Sequence, residues 1–218
     1  MTTETNCTRG VRRYPQRQST DRAKLDALLA TELVGHLAAT VDGEPLVIPM
    51  IFARIGDHIV LHGSTGGGFA LRAAACAQAV AFSVATIDGL VYARSLYDSS
   101  LNYRSAVVYG ALEMVDGDAE AALANAFSDR IMPGRPGEVR DIKRKELAAT
   151  RMLRLPLADF VYKERTGHPA EAADDGEDHD VWAGVLPVRR GWGEPIPSPL
   201  TTGGVALPAS VTALTGRG

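Results

Sequence analysis

The chain has 218 residues, 23 of them Lys or Arg and 26 Asp or Glu, which gives a net charge of −3 with the histidines neutral. This slightly acidic balance lacks the basic excess that nucleic-acid binding draws on, and 45% apolar with 22% charged residues is the composition of a folded domain rather than a disordered one. No window holds the roughly 18 uninterrupted apolar residues of a membrane span, since the most apolar stretch, 73–87, is broken by Gln78, Ser83 and Thr86.

Residues 1–13 carry no apolar leader segment and are expected to form a flexible start. Thr20 is placed to cap a helix with Asp21 in its first turn, and Leu25, Leu28, Leu29 and Leu33 recur at helical spacing. From His36 the pattern changes to strands over 36–41, 45–53 and 58–62, with turns at Asp42-Gly43 and Gly56-Asp57. The glycine-rich loop 63–68 leads into a helix over 69–77, where Cys76 lies among alanines and reads as a small buried thiol. With Cys7 it makes two cysteines, too few for a disulfide framework or a zinc site, and a reducing cytoplasm is the expected compartment.

Strands follow at 80–86 and 90–95, and Asp88-Gly89 between them predicts a hairpin turn. A polar stretch at 96–102 precedes a β-rich run over 105–115, a helix over 119–127, a loop at 132–137 and a helix near 141–150. Three last strands are placed at 152–155, 160–164 and 182–188. The total is about eight short strands and three or four helices, with hairpins dominating and no regular β-α-β alternation. A mainly β fold with peripheral helices, an antiparallel barrel rather than a Rossmann sheet, is the expected architecture. One domain is expected over 1–189. Within it, residues 171–180 carry six acids and no large apolar side chain, the mark of a solvated loop. The stretch 190–218 is rich in Pro, Gly, Ser and Thr and reads as an extended arm or disordered tail.

Three segments could carry chemistry. In His62-Gly63-Ser64-Thr65-Gly66-Gly67-Gly68, leaving a strand and entering a helix with Arg72 one turn in, backbone N–H groups, two hydroxyls and a helix dipole could meet a phosphate. The spacing is that of neither a Walker loop, a dinucleotide fingerprint nor a nucleophile elbow, and a plain glycine turn is the competing reading. Arg94-Ser95 with Asn102-Tyr103-Arg104-Ser105 gathers two guanidiniums, hydroxyls, an amide and a phenol, a set suited to a phosphorylated planar ligand or to a polar hairpin end. Trp182-Ala183-Gly184 could wall a flat ring or pack as an ordinary strand. The five histidines form no metal-ligand pattern, and no catalytic triad or carboxylate pair can be assembled.

Together, the runs 88–95, Asn102 to Gly110, Met132-Pro133-Gly134-Arg135, Arg165-Thr166-Gly167-His168-Pro169 and 182–187 resemble the pyridoxamine 5′-phosphate oxidase-like flavin-binding proteins, above all the nitroimidazole-resistance (Nim) type. The resemblance covers about residues 12–189 and implies an FMN-binding split β-barrel, a homodimer with flavin at the interface. It implies cofactor contacts from His62, Gly63, Ser64, Thr65, Arg72, Arg94, Ser95, Asn102, Tyr103, Arg104, Ser105 and Trp182, with His62 the candidate catalytic residue. The implied activity is an FMN-dependent oxidoreductase acting on a small amine, nitro or other reducible compound. The alternatives are a non-catalytic flavin or haem carrier or sensor, and a deazaflavin-dependent reductase. Two departures stand out: Tyr97-Asp98-Ser99-Ser100 replaces a histidine pair found in many relatives, and the glycine loop lacks a lysine.

Overall fold

The computed structural model describes residues 10–41, 43–66, 68–170 and 180–215. Most of the expected flexible start with Cys7, Asp42 of the first turn, Gly67, and residues 171–179 of the expected acidic loop lie outside them. The elements in chain order are β1 (Gln18–Ser19), α1 (Arg22–Thr31), β2 (Val34–Val41), β3 (Glu44–Ile51), β4 (Ala53–Ile55), β5 (His58–Ser64) and α2 (Phe69–Ala75). There follow β6 (Ala79–Tyr92), β7 (Ser100–Ala111), β8 (Glu113–Val115), α3 (Asp118–Ile131), α4 (Arg144–Ala148), β9 (Thr150–Pro156), β10 (Asp159–Arg165), β11 (Gly184–Pro187) and α5 (Ala209–Thr215). Short 3-10 turns lie at Pro15–Arg17 and Arg135–Glu138.

The strands form two antiparallel sheets, one ordered β1-β10-β7-β6-β2-β3 with β11 added to β6, the other β4-β5-β9-β8. The chain passes from the first sheet to the second twice, at Phe52 between β3 and β4 and at Leu112 between β7 and β8. Both pivot residues are buried in the core, so each corner is fixed by an apolar side chain pointing inward. The antiparallel barrel expected from the sequence is therefore the fold observed, with two of its strands broken where they change sheet.

Local chemistry accounts for the boundaries that moved. The cap of α1 is Asp21, whose carboxylate accepts from Ala23 N at 2.9 Å, one residue beyond the expected Thr20, and Leu25, Leu28 and Leu29 fill the core as their spacing predicts. The Asp88-Gly89 pair makes no hairpin turn. Residues 79–92 are one strand, β6, and the pairing with β7 slips between Ile87 and Gly89. Gly89 is required by close approach: a Cβ there would lie 3.0 Å from the Leu186 carbonyl oxygen and 3.1 Å from Val185 Cγ1, both on β11. Helix α2 ends at Ala75, before a left-handed Ala77 with φ of 48°, which leaves Cys76 exposed rather than buried. Helix α3 runs past its expected end to Ile131, whereas α4 spans only Arg144–Ala148.

The segment after Arg189 is anchored at two points. Arg190 pairs with Glu32 at 3.0 Å, and at the start of α5 Ser210 donates its amide (2.9 Å) and its hydroxyl (2.5 Å) to the Glu138 carboxylate. The Ser210 hydroxyl, then its amide, hold the Glu138 carboxyl below the usual carboxylate range. A depressed carboxyl stabilises above its unfolded value of about 4.3, and that contribution is lost as the pH falls through the lower folded value. Hydrogen-exchange protection factors of the α5 amides are expected to fall as the pH drops below about 4.3, ahead of those in β6 and β7; simultaneous loss would show that this contact does not anchor α5. Among the described residues no helix is long and apolar enough to cross a membrane.

Candidate functional site

The candidate residues occupy two ends of one ribbon. His62, Gly63 and Ser64 end β5 opposite Met152, Arg151 and Thr150 of β9, Thr65 follows, and Arg72 lies on α2, which leads directly to the Ala79 end of β6. Asn102, Tyr103, Arg104 and Ser105 lie near the other end of the β6–β7 ladder, where Arg94, Ser95 and Trp182 also sit. At about 3.3 Å per strand residue, Asn102 is roughly 30 Å along β7 from Ala111, which pairs with Ala79. A single copy of the chain therefore does not bring the two groups together.

At the glycine-loop end, Thr65 is held by its N–H and hydroxyl on the Ala149 carbonyl (3.1 and 3.4 Å), and Ser64 Oγ accepts from Gly66 N at 3.3 Å. His62 is exposed and meets the edge of Phe127 at a ring separation of 5.2 Å. Arg72 is exposed and makes no ion pair with a described residue, so its guanidinium can receive an anion.

At the other end several polar side chains are engaged within the chain. Asn102 is buried, donating to Gly167 O at 3.0 Å and accepting from Arg165 Nη1 at 2.6 Å, so it orders the turn after β10. Arg104 makes a two-point pair with Asp88 at 2.9 and 2.7 Å, which raises its already high pKa. Ser95 Oγ donates to Asp98 at 2.7 Å and Ser105 Oγ to the Lys163 carbonyl at 3.3 Å. Tyr103 and Arg94 are half-buried there beside exposed Trp182, whose ring tilts against Tyr92 at 5.7 Å and covers Gly184. A Cβ on Gly184 would lie 2.9 Å from that indole, which explains the small residue beside the Trp.

Between the two ends runs the outer face of the first sheet. Directly paired residues share a face, and Val34 with Ile51, Ala38 with Val47 and Ala81, and His36 with Pro49 and Ser83 all point away from the core. Val47 is 61% exposed, Val34 51% and Ile51 47%.

Two of the clefts among the described residues bear on these positions. One, about 670 Å³, lies among Val34, Ile87, Asp88, Arg104 and Trp192. The other, about 450 Å³ and polar, lies between Gln16–Ser19 and Glu164–Ala170. Its residues Arg17 and Arg165 were not nominated from the sequence. Arg165 stood in a recognised motif, but its meeting with Arg17 joins the two ends of the chain and leaves no trace in spacing. Burial, and next the charge of Arg17, push the Arg165 guanidinium below its ordinary value. Among the described residues no group of three or more His, Cys, Asp or Glu gathers in a metal-binding arrangement.

Two antiparallel sheets that exchange strands at Phe52 and Leu112, with candidate ligand groups at both ends of an open sheet face, define the split-barrel class. The chain belongs to the pyridoxamine 5′-phosphate oxidase family, whose profile matches residues 21–164. It is similar to the FAD and haem binding protein of Mycobacterium smegmatis, with 41% identity over 91% of this chain and 97% of that one and a TM-score of 0.87. It is also similar to the flavocytochrome Anf3 of Azotobacter vinelandii, with 31% identity over 94% of each chain and a TM-score of 0.86. A protein assigned to 5-nitroimidazole antibiotic resistance in Bacteroides thetaiotaomicron shares the fold, with 15% identity over 67% of this chain and 85% of that one and a TM-score of 0.56. No curated protein sequence matches the chain.

Proposed function

We propose that the chain is a cytoplasmic flavin-dependent oxidoreductase acting on small reducible compounds as a homodimer, each flavin lying between the glycine-loop end of one copy and the Arg94–Tyr103 end of the other. The observation that carries this reading is the separation of the candidate residues to opposite ends of the β6–β7 ribbon, with an apolar face between them. A two-fold packing of that face turns one copy's loop toward the other copy's arginine end.

The residues fit a flavin nucleotide in kind. Arg72 and the loop amides suit a phosphate, and the exposed Trp182 ring, braced at a tilt against Tyr92, offers an apolar surface. When bound, the flavin supplies the electron-transfer chemistry, and the chain orients it and excludes water. FMN is the flavin implied by the sequence resemblance. The 41% identical protein is named for FAD and haem, which favours FAD and gives the second reading, a haem group carried beside the flavin.

The visible spectrum of the purified protein, before and after loading with each flavin nucleotide and with haem, tests the cofactor. A retained flavin whose acid-released mass is that of FAD is the expected result, and FMN in its place corrects the nucleotide alone. Retention of neither sinks the proposal. Arg72→Ala and Arg94→Ala are each expected to weaken flavin binding about tenfold, the scale of one lost charge-assisted hydrogen bond. Unchanged affinity in a fluorescence titration would remove that residue from the site. Faster oxidation of reduced flavin by an added acceptor than in free solution separates an oxidoreductase from a carrier or sensor.

A further inference from the structure

The polar cleft at the end of β10 has no part in the flavin reading. Among the described residues it holds three cations, Arg17, Lys24 and Arg165, against one carboxylate, Glu164. That carboxylate is already neutralised: Lys24 Nζ lies 2.5 Å from its Oε1 and Tyr162 donates to its Oε2 at 2.9 Å. Arg17 makes no ion pair with a described residue, and its guanidinium lies over the Tyr14 ring, 4.2 Å from the centroid.

Arg165 is fixed from behind. Its Nη1 donates to buried Asn102, its Nη2 to the His168 carbonyl at 3.2 Å, and Asn102 in turn holds Gly167. The fold thus brings two guanidiniums into mutual repulsion on a concave surface, and among the described residues lining it no unpaired carboxylate lies between them, an arrangement that raises the energy of the empty cleft and reverses sign when an anion enters. Further donors come from both walls. Gln18 uses its side-chain oxygen to accept from Val11 N at 2.8 Å, which leaves its amide N–H groups to donate, and Thr166 follows Arg165 on the opposite wall. Donors from several directions suit a tetrahedral oxyanion better than a planar carboxylate.

We propose that the cleft between Arg17 and Arg165 is a phosphate-binding site, taking the phosphate group of a small molecule in a two-arginine clamp. That phosphate could belong to a flavin nucleotide or to a separate phosphorylated ligand, and flavin-loaded and flavin-free protein distinguish the two.

The test is calorimetric titration of the full chain with inorganic phosphate at low salt, in the Arg72→Ala background so that the glycine loop does not contribute. Saturable binding of one phosphate per chain is expected, weakened about tenfold or more by Arg17→Gln with an unchanged melting temperature. Arg165→Lys, which keeps the charge but loses the fork, is expected to weaken it as well. Competition with flavin assigns the phosphate to the flavin nucleotide, and independent binding assigns it to a second ligand. Absence of saturable binding, or equal affinity in Arg17→Gln, overturns the site, and tighter binding of malonate than of phosphate overturns the choice of ligand.

Discussion

Phe82→Ala is expected to cost about 3–5 kcal/mol of folding stability, read as a lower urea midpoint at unchanged slope. Phe82 is fully buried on β6 and stacks edge-to-face on Phe52 with ring centroids 5.3 Å apart. Phe52 is itself the corner at which the chain leaves the first sheet, so the cavity opens beside a pivot that holds both sheets in place. The ring has room because position 35 is glycine: a Cβ on Gly35 would stand 2.4 Å from it. Collapse of β2 into the space is the way the loss could shrink, and a measured cost below about 1 kcal/mol would mean that this strand moves freely.

Val47→Glu is expected to convert the proposed dimer to monomer at micromolar concentration and to remove flavin with it. In one copy Val47 is largely exposed beside Ala38 on the outer sheet face, so a carboxylate there disturbs little. Packed against a second copy it would be desolvated with no partner, a penalty of several kcal/mol per ion, and two-fold symmetry applies it twice. Sedimentation velocity on the wild type and the variant decides the matter. A wild-type chain that is already monomeric would refute both the dimer and the two-ended flavin site.

The parts of the fold legible in the sequence are those fixed by local pattern. The leucine period of α1 gave its element and its face directly, because burial of one side at a fixed repeat decides both, whereas β5 and β9 were legible as strands without a face, since neighbouring residues of each are buried on both sides. Asp88-Gly89 misled because the same dipeptide that closes a hairpin also tolerates a bulge, and only the arrival of β11, from about a hundred residues later, selects between them. The candidate site was legible as residue types and not as an arrangement. The register of β6 and β7 sets Tyr103 at the end of the ladder away from Ala79, to which α2 leads from the glycine loop, while the engagement of Asn102 by Arg165 depends on a contact across 63 positions. Arg17 lies in a three-residue turn opened by Pro15, too short for any period to report.

The slip in β6 also sets how the gene can change length. Along most of β6, an in-frame loss of one codon would turn every later side chain to the wrong side of the sheet. Losing Asp88 would instead join Ile87, which faces Tyr103, to Gly89, which faces Asn102, and restore an unbroken ladder with each remaining side chain on its present side. What would be lost is the bend of the strand and the carboxylate that holds Arg104, so the deletion would spare the fold and fall on the candidate site.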